Sequence, residues 1–408
     1  MSPTQTHDRS RSHGGRTRPR HDSGAARGRH PSARPGPKRP PGDRSSTFVG
    51  LLVVTTALVL LGLVMVMSAA SVSDIRTSGS AWDSFTRQAI FAVVGFVGMF
   101  AAYRQHYGLW RRLATPFLVG SLVLLVLVLV PGVGVGANGA TRWLGAGSLR
   151  IQPSELAKLA IIVWSAAWLS QPRHHEVIRD DPRVLRPVLL ALGAVAALLL
   201  LQPNLGTLII TSVAVGAVVL LSSASLARLA GWGLLGFAAA CVAALSADYR
   251  RARVLAFLAP FDDPANTGYQ TVQSLVGIAS GGLTGVGLGA SRAKWGFLPY
   301  AHTDFIFAII AEELGLIGAL TVLALFACLA WFGIRASLRA PDTFGMLLAG
   351  GITIWFVAQA VVNLGAVVGL LPITGVPLPF VSYGGTSLIV NLVAMGVLLS
   401  VARQGRDA

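Results

Sequence analysis

Long apolar segments recur along this chain from about residue 47 to residue 403. Each has roughly 20 residues, which as a helix span the hydrocarbon core of a bilayer, about 30 Å thick. Of the 408 residues, 53% are hydrophobic and only 12% are charged, whereas a soluble domain carries about 25% charged residues. We do not find the alternating ten-residue strands of a membrane barrel. The sequence therefore predicts an all-α, polytopic integral membrane protein.

We predict about ten membrane-spanning helices. They cover residues 47–69, 85–103, 113–131, 154–170, 187–202, 205–222, 228–246, 304–334, 345–369 and 384–403. The fifth and sixth spans are separated only by Gln202, Pro203 and Asn204, so this connection is either a tight turn or a break within one helix. The connection between spans seven and eight, residues 247–303, is by far the longest. We refer to it as the long connection.

Residues 1–46 differ in composition from the rest of the chain. They carry eleven Lys/Arg residues against three Asp residues and almost no large apolar residue, so we expect a disordered tail. A nucleic-acid-binding arm is one interpretation, and a cytoplasmic tail near anionic lipid is the favoured one. Residues 404–408 form a short second tail, so that the membrane domain covers residues 47–403.

The distribution of basic residues predicts an orientation. With the tail in the cytoplasm, 23 of the 33 Lys/Arg residues fall on the cytoplasmic side, as the positive-inside rule requires. Most of the other ten lie in or beside the connection between spans three and four, or in the long connection. Positive charge retained on the outer side suggests an anionic ligand there.

The long connection leads directly into Asp304, the first residue of span eight. Its apolar stretch, residues 272–288, is expected to pack on the membrane surface or to dip into it. His302 or Thr303 is placed to cap the helix that follows. Asp304 could simply complement the positive end of that helix. Its position at the membrane interface, beside a basic connection, favours a functional carboxylate instead.

Other charged residues fall within predicted spans. Glu155 and Lys158 are three residues apart and can pair on one helix face, either as a structural ion pair or as part of a site. At 100° per residue, Glu312 but not Glu313 can share a face with Asp304, and either can pair with a buried basic residue. The sequence contains neither C-x-x-C nor H-E-x-x-H, so it predicts no metal-binding motif.

Five motifs follow one another along the chain. They are NGATRW (138–143) with QPSE (152–155), QPNLGT (202–207), GYQ (268–270), HTDFIF (302–307) with EELG (312–315), and PFVSYGG (379–385). In this order they resemble the SEDS family of bacterial cell-wall polymerases, which includes FtsW, RodA and SpoVE. The resemblance covers about residues 47–403. Asn204 departs from it, because the family usually has Asp at this position.

The resemblance implies the SEDS fold and a glycosyltransferase that polymerises peptidoglycan glycan strands from lipid II. The segments YRR (249–251) and LPYAHTD (298–304) look more like the division branch, FtsW, than the elongation branch, RodA. Asp304 is the implied general base. Substrate binding is implied for Arg142, Trp143, Glu155, Lys158, Gln202, Arg251, Arg253, Gln270, His302, Thr303, Ser382 and Tyr383. Among these, the four basic residues are candidates for the lipid diphosphate, and Arg142 beside Trp143 suits an anionic headgroup and its apolar chain.

The resemblance also implies the setting of the reaction. No organic cofactor is needed, and a divalent cation, Mg²⁺ or Mn²⁺, can assist. The expected partners are lipid II, a class B penicillin-binding transpeptidase packed along spans eight and nine, and other division proteins, but no nucleic acid. The expected location is the bacterial cytoplasmic membrane at the division septum, with both termini cytoplasmic.

Three alternatives remain open at this point. The first is a lipid II flippase or transporter without covalent chemistry, which intramembrane charges and a broken helix at Pro203 would suit. The second is a scaffold that recruits division proteins through its tail. The third is the elongation polymerase of the RodA type.

Overall fold

The computed structural model describes residues 46–137, 140–146, 149–175, 178, 181–225 and 255–405, with isolated positions between 226 and 251. Ten helices of 13 residues or more lie in these ranges. Numbered α1 to α10 in chain order, they are Ser46–Ser78, Asp83–Arg104, Gly108–Leu129, Pro153–Leu169, Arg186–Leu201, Leu205–Leu221, Tyr269–Gly281, Ile306–Leu338, Thr343–Val367 and Gly385–Gln404. Shorter helical turns cover Pro172–His175, Pro182–Leu185 and Ala293–Trp295.

Nine of the ten predicted spans correspond to helices, and the prediction of an all-α membrane protein is confirmed. Seven described segments are long and apolar enough to cross a membrane, and α4 and α6, with 17 residues each, are slightly shorter. Helix α1 continues past the predicted end at residue 69 to Ser78. The seventh predicted span, residues 228–246, falls mostly outside the described residues, as does the N-terminal tail.

A small antiparallel sheet between α3 and α4 was not predicted. Its strands are β1 (Gly134–Ala137), β2 (Ala140–Ala146) and β3 (Leu149–Ile151), in the order β1-β2-β3. The strands contain several glycine and alanine residues and are too short for a clear alternating pattern, so they could not be predicted from the sequence.

Several connections meet at one end of the bundle, which we call the Asp304 end. The backbone N–H of Gln152, before α4, donates to the hydroxyl of Thr386 at the start of α10 (3.2 Å). The N–H of Tyr383 donates to the carbonyl of His302 (3.0 Å). The α3–α4 connection, the end of the long connection and the connection between α9 and α10 therefore lie together.

Other connections meet at the opposite end. The hydroxyl of Ser400, near the end of α10, donates to the carbonyl of Gln105 after α2 (2.6 Å). The ring of Tyr107 stacks on Phe344 at the start of α9, with 6.1 Å between ring centroids. The C-terminal end of α10 thus lies on the side away from Asp304.

The connection between α5 and α6 is a tight turn. Trp168, at the end of α4, donates to the carbonyl of Val184 just before α5 (3.0 Å). Asn204, just before α6, donates to Ser154 at the start of α4 (3.3 Å). Helix α5 therefore runs antiparallel to α4, and the chain reverses at residues 202–204.

Helix α8 is interrupted at Gly315, whose φ of 65° and ψ of −161° are not helical. The segment after α7 fills the interruption: the N–H of Leu316 donates to the carbonyl of Gly282 (2.9 Å), and the N–H of Val286 donates to the carbonyl of Glu312 (3.0 Å). Since Gly315 is nine residues into α8, this segment reaches about 14 Å along the helix from its start, at 1.5 Å per residue.

Replacing Gly315 by alanine is predicted to destabilise the protein. The added methyl group would collide with the backbone of Leu283 and Gly285, at a positive φ that alanine disfavours. We expect a loss of about 1–3 kcal/mol, measured by thermal unfolding in detergent. Gly193→Ala, in α5 with open space around the new methyl group, is the matched control. Equal stability of the two variants would contradict the prediction.

Candidate functional site

Asp304 lies in a tight turn that precedes α8. The N–H groups of Thr303 and Phe305 both donate to the carbonyl of Tyr300, at 3.0 and 3.3 Å. The helix begins only at Ile306 and has no side-chain cap, and the Thr303 hydroxyl donates to the Tyr300 carbonyl (3.1 Å). The prediction that His302 or Thr303 caps α8 is therefore wrong. The turn forms its own hydrogen bonds and leaves Asp304 outside the helix.

Asn363 of α9 holds the backbone of this turn. Its amide Nδ2 donates to the carbonyl of Asp304 and to the carbonyl of Val376, both at 2.8 Å. Val376 belongs to the connection between α9 and α10, residues 368–384, which we call the last connection and which has no charged residue. A Cβ at Gly375, where φ is 71°, would lie 3.6 Å from Oδ2 of Asp304. The carboxylate therefore faces the last connection.

The predicted pair of Glu155 and Lys158 forms inside the bundle. Lys158 Nζ lies 2.9 Å from Glu155 Oε1, with both side chains at most 3% exposed. Nζ also donates to Gln359 Oε1 (2.9 Å) and lies 4.9 Å from the ring centroid of Trp355. Gln359 Nε2 donates to the carbonyl of Pro377 (2.9 Å). Gln359 thus links this ion pair to the last connection.

His302 and Tyr383 meet beside the Asp304 turn. Their ring centroids are 5.5 Å apart and the rings meet edge to face, with 66° between their planes. Burial lowers the pKa of His302, with nearby Asp74 partly opposing the shift, and burial raises the pKa of the Tyr383 hydroxyl. Both groups are therefore neutral at pH 7. They can donate or accept hydrogen bonds but supply no charge for a diphosphate.

Ser382 contributes to the shape of the last connection. Its hydroxyl oxygen accepts a hydrogen bond from the N–H of Leu378 (2.8 Å), and its carbonyl accepts from Gln88 of α2 (3.1 Å). The side chain is buried. The contacts of Ser382 are therefore those of a turn-forming residue.

Arg142 of β2 is bound to the turn between α5 and α6. Its guanidinium donates to the carbonyl of Gln202 (3.2 Å) and to that of Pro203. Gln202 is itself buried and donates to the carbonyl of Leu125 in α3 (2.9 Å). Arg142 lies at an irregularity in the pairing of β1 with β2, where Val135 pairs with Trp143 and the next residue, Gly136, pairs with Thr141.

Three predicted binding residues, Arg251, Arg253 and Gln270, belong to the long connection. Arg251 is exposed, and Arg253 falls outside the described residues. Gln270 lies in the first turn of α7, half-buried. The structure therefore brings together Asp304, Thr303, His302 and Tyr383, with Glu155 and Lys158 linked to them through α9.

A second polar cluster surrounds the interruption of α8. The hydroxyl of Ser68 in α1 donates to the carboxylate of Glu313, with its oxygen 2.7 and 2.8 Å from the two carboxylate oxygens, and Lys294 Nζ lies 3.6 Å from Oε1. Glu312 accepts from the Ser291 hydroxyl (2.5 Å) and from the N–H of Arg292 (2.8 Å). These carboxylates fasten the long connection to α8 and α1. Their partners all lie at residue 68 and residues 291–294, apart from the Asp304 turn.

Sequence reasoning missed Gln88, Gln359 and Asn363. Gln359 and Asn363 are four residues apart, and therefore on one face of α9, in an otherwise apolar segment. This spacing of four is the sequence feature from which the two residues could have been identified. Buried amides within a membrane helix require partners, although the sequence does not identify them.

Comparison with known proteins identifies the family. A family model described as "Cell cycle protein", for FtsW, RodA and SpoVE, matches residues 49–407. The chain belongs to this family. Stage V sporulation protein E of Bacillus subtilis is 41% identical over 367 residues, which are 89% of this chain and 99% of that protein. A probable peptidoglycan glycosyltransferase FtsW of Geobacter metallireducens is 42% identical over 353 residues, 86% of this chain and 93% of the relative.

Solved structures agree with this assignment. A chain from a peptidoglycan synthase complex that coordinates polymerization and crosslinking superposes with a TM-score of 0.72 and 33% identity, covering 87% of this chain and 97% of the other. The rod shape determining protein RodA of Thermus thermophilus gives a TM-score of 0.65 and 31% identity, covering 88% and 97%. The FtsW/RodA/SpoVE fold predicted from the motifs is confirmed, and relatives named as glycosyltransferases do not favour the transport alternative.

Disrupting the buried ion pair is predicted to destabilise this family member. Lys158→Met leaves Glu155 charged in an apolar environment, and we expect a loss of about 3–5 kcal/mol. The double variant Glu155→Leu/Lys158→Met should recover most of that stability in thermal unfolding. If the pair is structural, the double variant also recovers activity. A stable double variant without activity would contradict the structural role and assign Glu155 or Lys158 to the reaction.

Asn363 is predicted to hold the Asp304 turn and the last connection together. Asn363→Ala leaves two carbonyl oxygens without this donor, at about 1–3 kcal/mol for each buried group. We expect faster hydrogen exchange at residues 300–305 and 376–382. Asn391→Ala removes a buried asparagine of α10 whose amide donates to Ser387 of the same helix (3.4 Å), and should leave both segments protected. Unchanged exchange in Asn363→Ala would refute this role.

Proposed function

We propose that this protein polymerises peptidoglycan glycan strands from lipid II and that Asp304 is the general base. Membership of the FtsW/RodA/SpoVE family supports the enzyme class, a peptidoglycan glycosyltransferase. The observation that supports Asp304 is the turn itself. It places a carboxylate outside its helix, beside the neutral last connection, and Asn363 fixes its backbone at 2.8 Å.

The reaction requires one proton transfer and one leaving group. A hydroxyl of the acceptor sugar attacks the anomeric carbon of the donor and gives its proton to the Asp304 carboxylate. The bond from that carbon to the diphosphate oxygen breaks, and the lipid diphosphate leaves with the electron pair. Because diphosphate is a good leaving group, it needs charge stabilisation rather than a protonating acid. One carboxylate then suffices, whereas glycoside hydrolases use two.

Arg142 is the basic residue best placed for the diphosphate. It lies at the Asp304 end, half-buried, and the carbonyls of residues 202 and 203 fix its guanidinium. A guanidinium held in one orientation can supply positive charge and charge-assisted hydrogen bonds to phosphate oxygens. Arg251 and Arg253 remain candidates from the long connection. We assign Lys158 to support of α9, because its ammonium group is buried and bonded to Glu155 and Gln359.

A divalent cation is compatible with these residues. Mg²⁺ is usually held by one or two carboxylates together with substrate phosphates, and Asp304 could supply the carboxylate. Within the part of the chain that the structure describes, no group of three or more His, Cys, Asp or Glu residues could hold a metal by itself. A cation bound there would neutralise diphosphate charge. Its binding would need the phosphates of the substrate as further ligands.

The relatives also support a proposal for the biological setting. The relatives include both FtsW and a sporulation protein, and we propose septal synthesis during division. A class B penicillin-binding transpeptidase would pack its membrane helix along α8 and α9. Apolar side chains of α8 are exposed and available for this contact, namely Leu316, Leu320, Leu323 and Trp331. We place the protein in the cytoplasmic membrane with both termini cytoplasmic.

Asp304→Asn is predicted to reduce polymerisation by a factor of about 10²–10⁴, the usual contribution of a general base. The assay uses purified protein and labelled lipid II, with and without the transpeptidase, and measures polymer by gel electrophoresis. Asp262→Asn, an exposed carboxylate of the same connection, is the matched control and should stay active. Full activity of a folded Asp304→Asn variant would refute the assignment.

A further inference from the structure

A cavity of about 270 Å³ opens at the Asp304 end. It lies between the long connection, the start of α7 and the last connection. Its walls include Phe257, Asn266, Tyr269, Gln270, Pro299 and Ile373. The cavity is somewhat smaller than the roughly 300–1,000 Å³ of pockets for drug-sized ligands. Its size therefore suits a single sugar ring rather than a disaccharide or a peptide.

The chemistry of the walls indicates a neutral ligand. Among the described residues that line the cavity there is no charged side chain. A diphosphate bound there would lose its hydrating water without gaining a cationic side chain as a partner. Asn266 and Gln270 offer amides, and Phe257 and Tyr269 offer aromatic surfaces. Amides can bond the hydroxyl and acetamido groups of a sugar, and an aromatic ring can cover the apolar face of a pyranose.

The two amide side chains of the wall, Asn266 and Gln270, differ in the hydrogen bonds that they already make. The Asn266 amide donates to Asp263 Oδ1 (2.9 Å) and is part of the turn before α7. None of the hydrogen bonds between described residues uses the amide of Gln270, which is half-buried. Gln270 therefore has donors and an acceptor to offer a ligand.

The cavity lies close to the carboxylate that we assign as the base. Ile373 is two residues from Gly375, whose added Cβ would lie 3.6 Å from Asp304 Oδ2. With at most about 3.8 Å between consecutive Cα atoms, the Ile373 backbone is within roughly 13 Å of that oxygen. A glycan strand of a few sugars can extend from the cavity to Asp304.

We propose that this cavity is a subsite for one N-acetylated sugar of the glycan, at a distance from the reacting carbon. The proposal rests on the polymerase function proposed above and adds a place where the strand is held. Binding away from the reacting atoms stabilises ground state and transition state alike. Loss of the subsite should therefore raise KM and shorten the strands, with kcat at saturating lipid II little changed.

The test compares two glutamines of α7. Gln270→Ala removes an amide of the cavity wall, and Gln273→Ala removes one three residues further on that does not line the cavity. Full-length variants in nanodiscs with the transpeptidase are assayed for KM, kcat and strand length on lipid II. We expect Gln270→Ala to raise KM about fivefold, the effect of one hydrogen bond, and to shorten strands, with Gln273→Ala unchanged. A KM for Gln270→Ala within twofold of wild type would overturn the subsite.

Binding of a soluble N-acetylglucosamine tetramer separates this proposal from the polymerase function. The probe is titrated into Asp304→Asn protein, with thermal stabilisation as the readout. We expect stabilisation that weakens about fivefold when Gln270→Ala is added, and no such change with Gln273→Ala. If the tetramer stabilises the Asp304→Asn protein and Gln270→Ala weakens this, but the wild type makes no polymer, the polymerase function is refuted and the subsite remains. If the wild type is active but Gln270→Ala does not change tetramer binding, only the subsite is refuted.

Discussion

Two amide side chains on α9 hold the Asp304 end together. Gln359 and Asn363 donate to the carbonyls of Pro377, Val376 and Asp304 at 2.8–2.9 Å. In an apolar environment each backbone carbonyl needs a donor, and the last connection has no charged side chain to help. These donors therefore decide where the last connection lies and, through it, how the carboxylate of Asp304 is placed.

The same requirement explains the path of the long connection. The interruption at Gly315 removes helical hydrogen bonds of α8, and backbone groups at residues 282–287 replace them. Glu312 and Glu313 then bond the residues that follow, at positions 291–294. The connection is thus tied to α8 by backbone and carboxylate contacts at residues 282–294, which lie in the chain between α7 and the turn of Asp304.

Local features of this fold could be predicted from the sequence, and distant pairings could not. The spans follow from the length of apolar runs, and the contact of Glu155 with Lys158 follows from their spacing of three. Asn363 bonds a carbonyl 59 positions away, and nothing in the sequence says which carbonyl a buried amide will reach. The helix cap at Asp304 was mispredicted for a related reason. Backbone hydrogen bonds within the turn formed instead, and they leave no side-chain signature.

Asn363, the donor to the backbone carbonyl of Asp304, is neutral, and this has a chemical consequence. A lysine in place of Asn363 could also donate to both carbonyls, but its charge would favour the ionised carboxylate and make it a weaker base. An amide satisfies the carbonyls without adding that charge. Lys158, the cation of the network beneath, is paired with Glu155 at 2.9 Å, so the pair adds no net charge. In the mechanism proposed above, positive charge for the diphosphate comes from arginines such as Arg142, and Asn363 adds none beside the base.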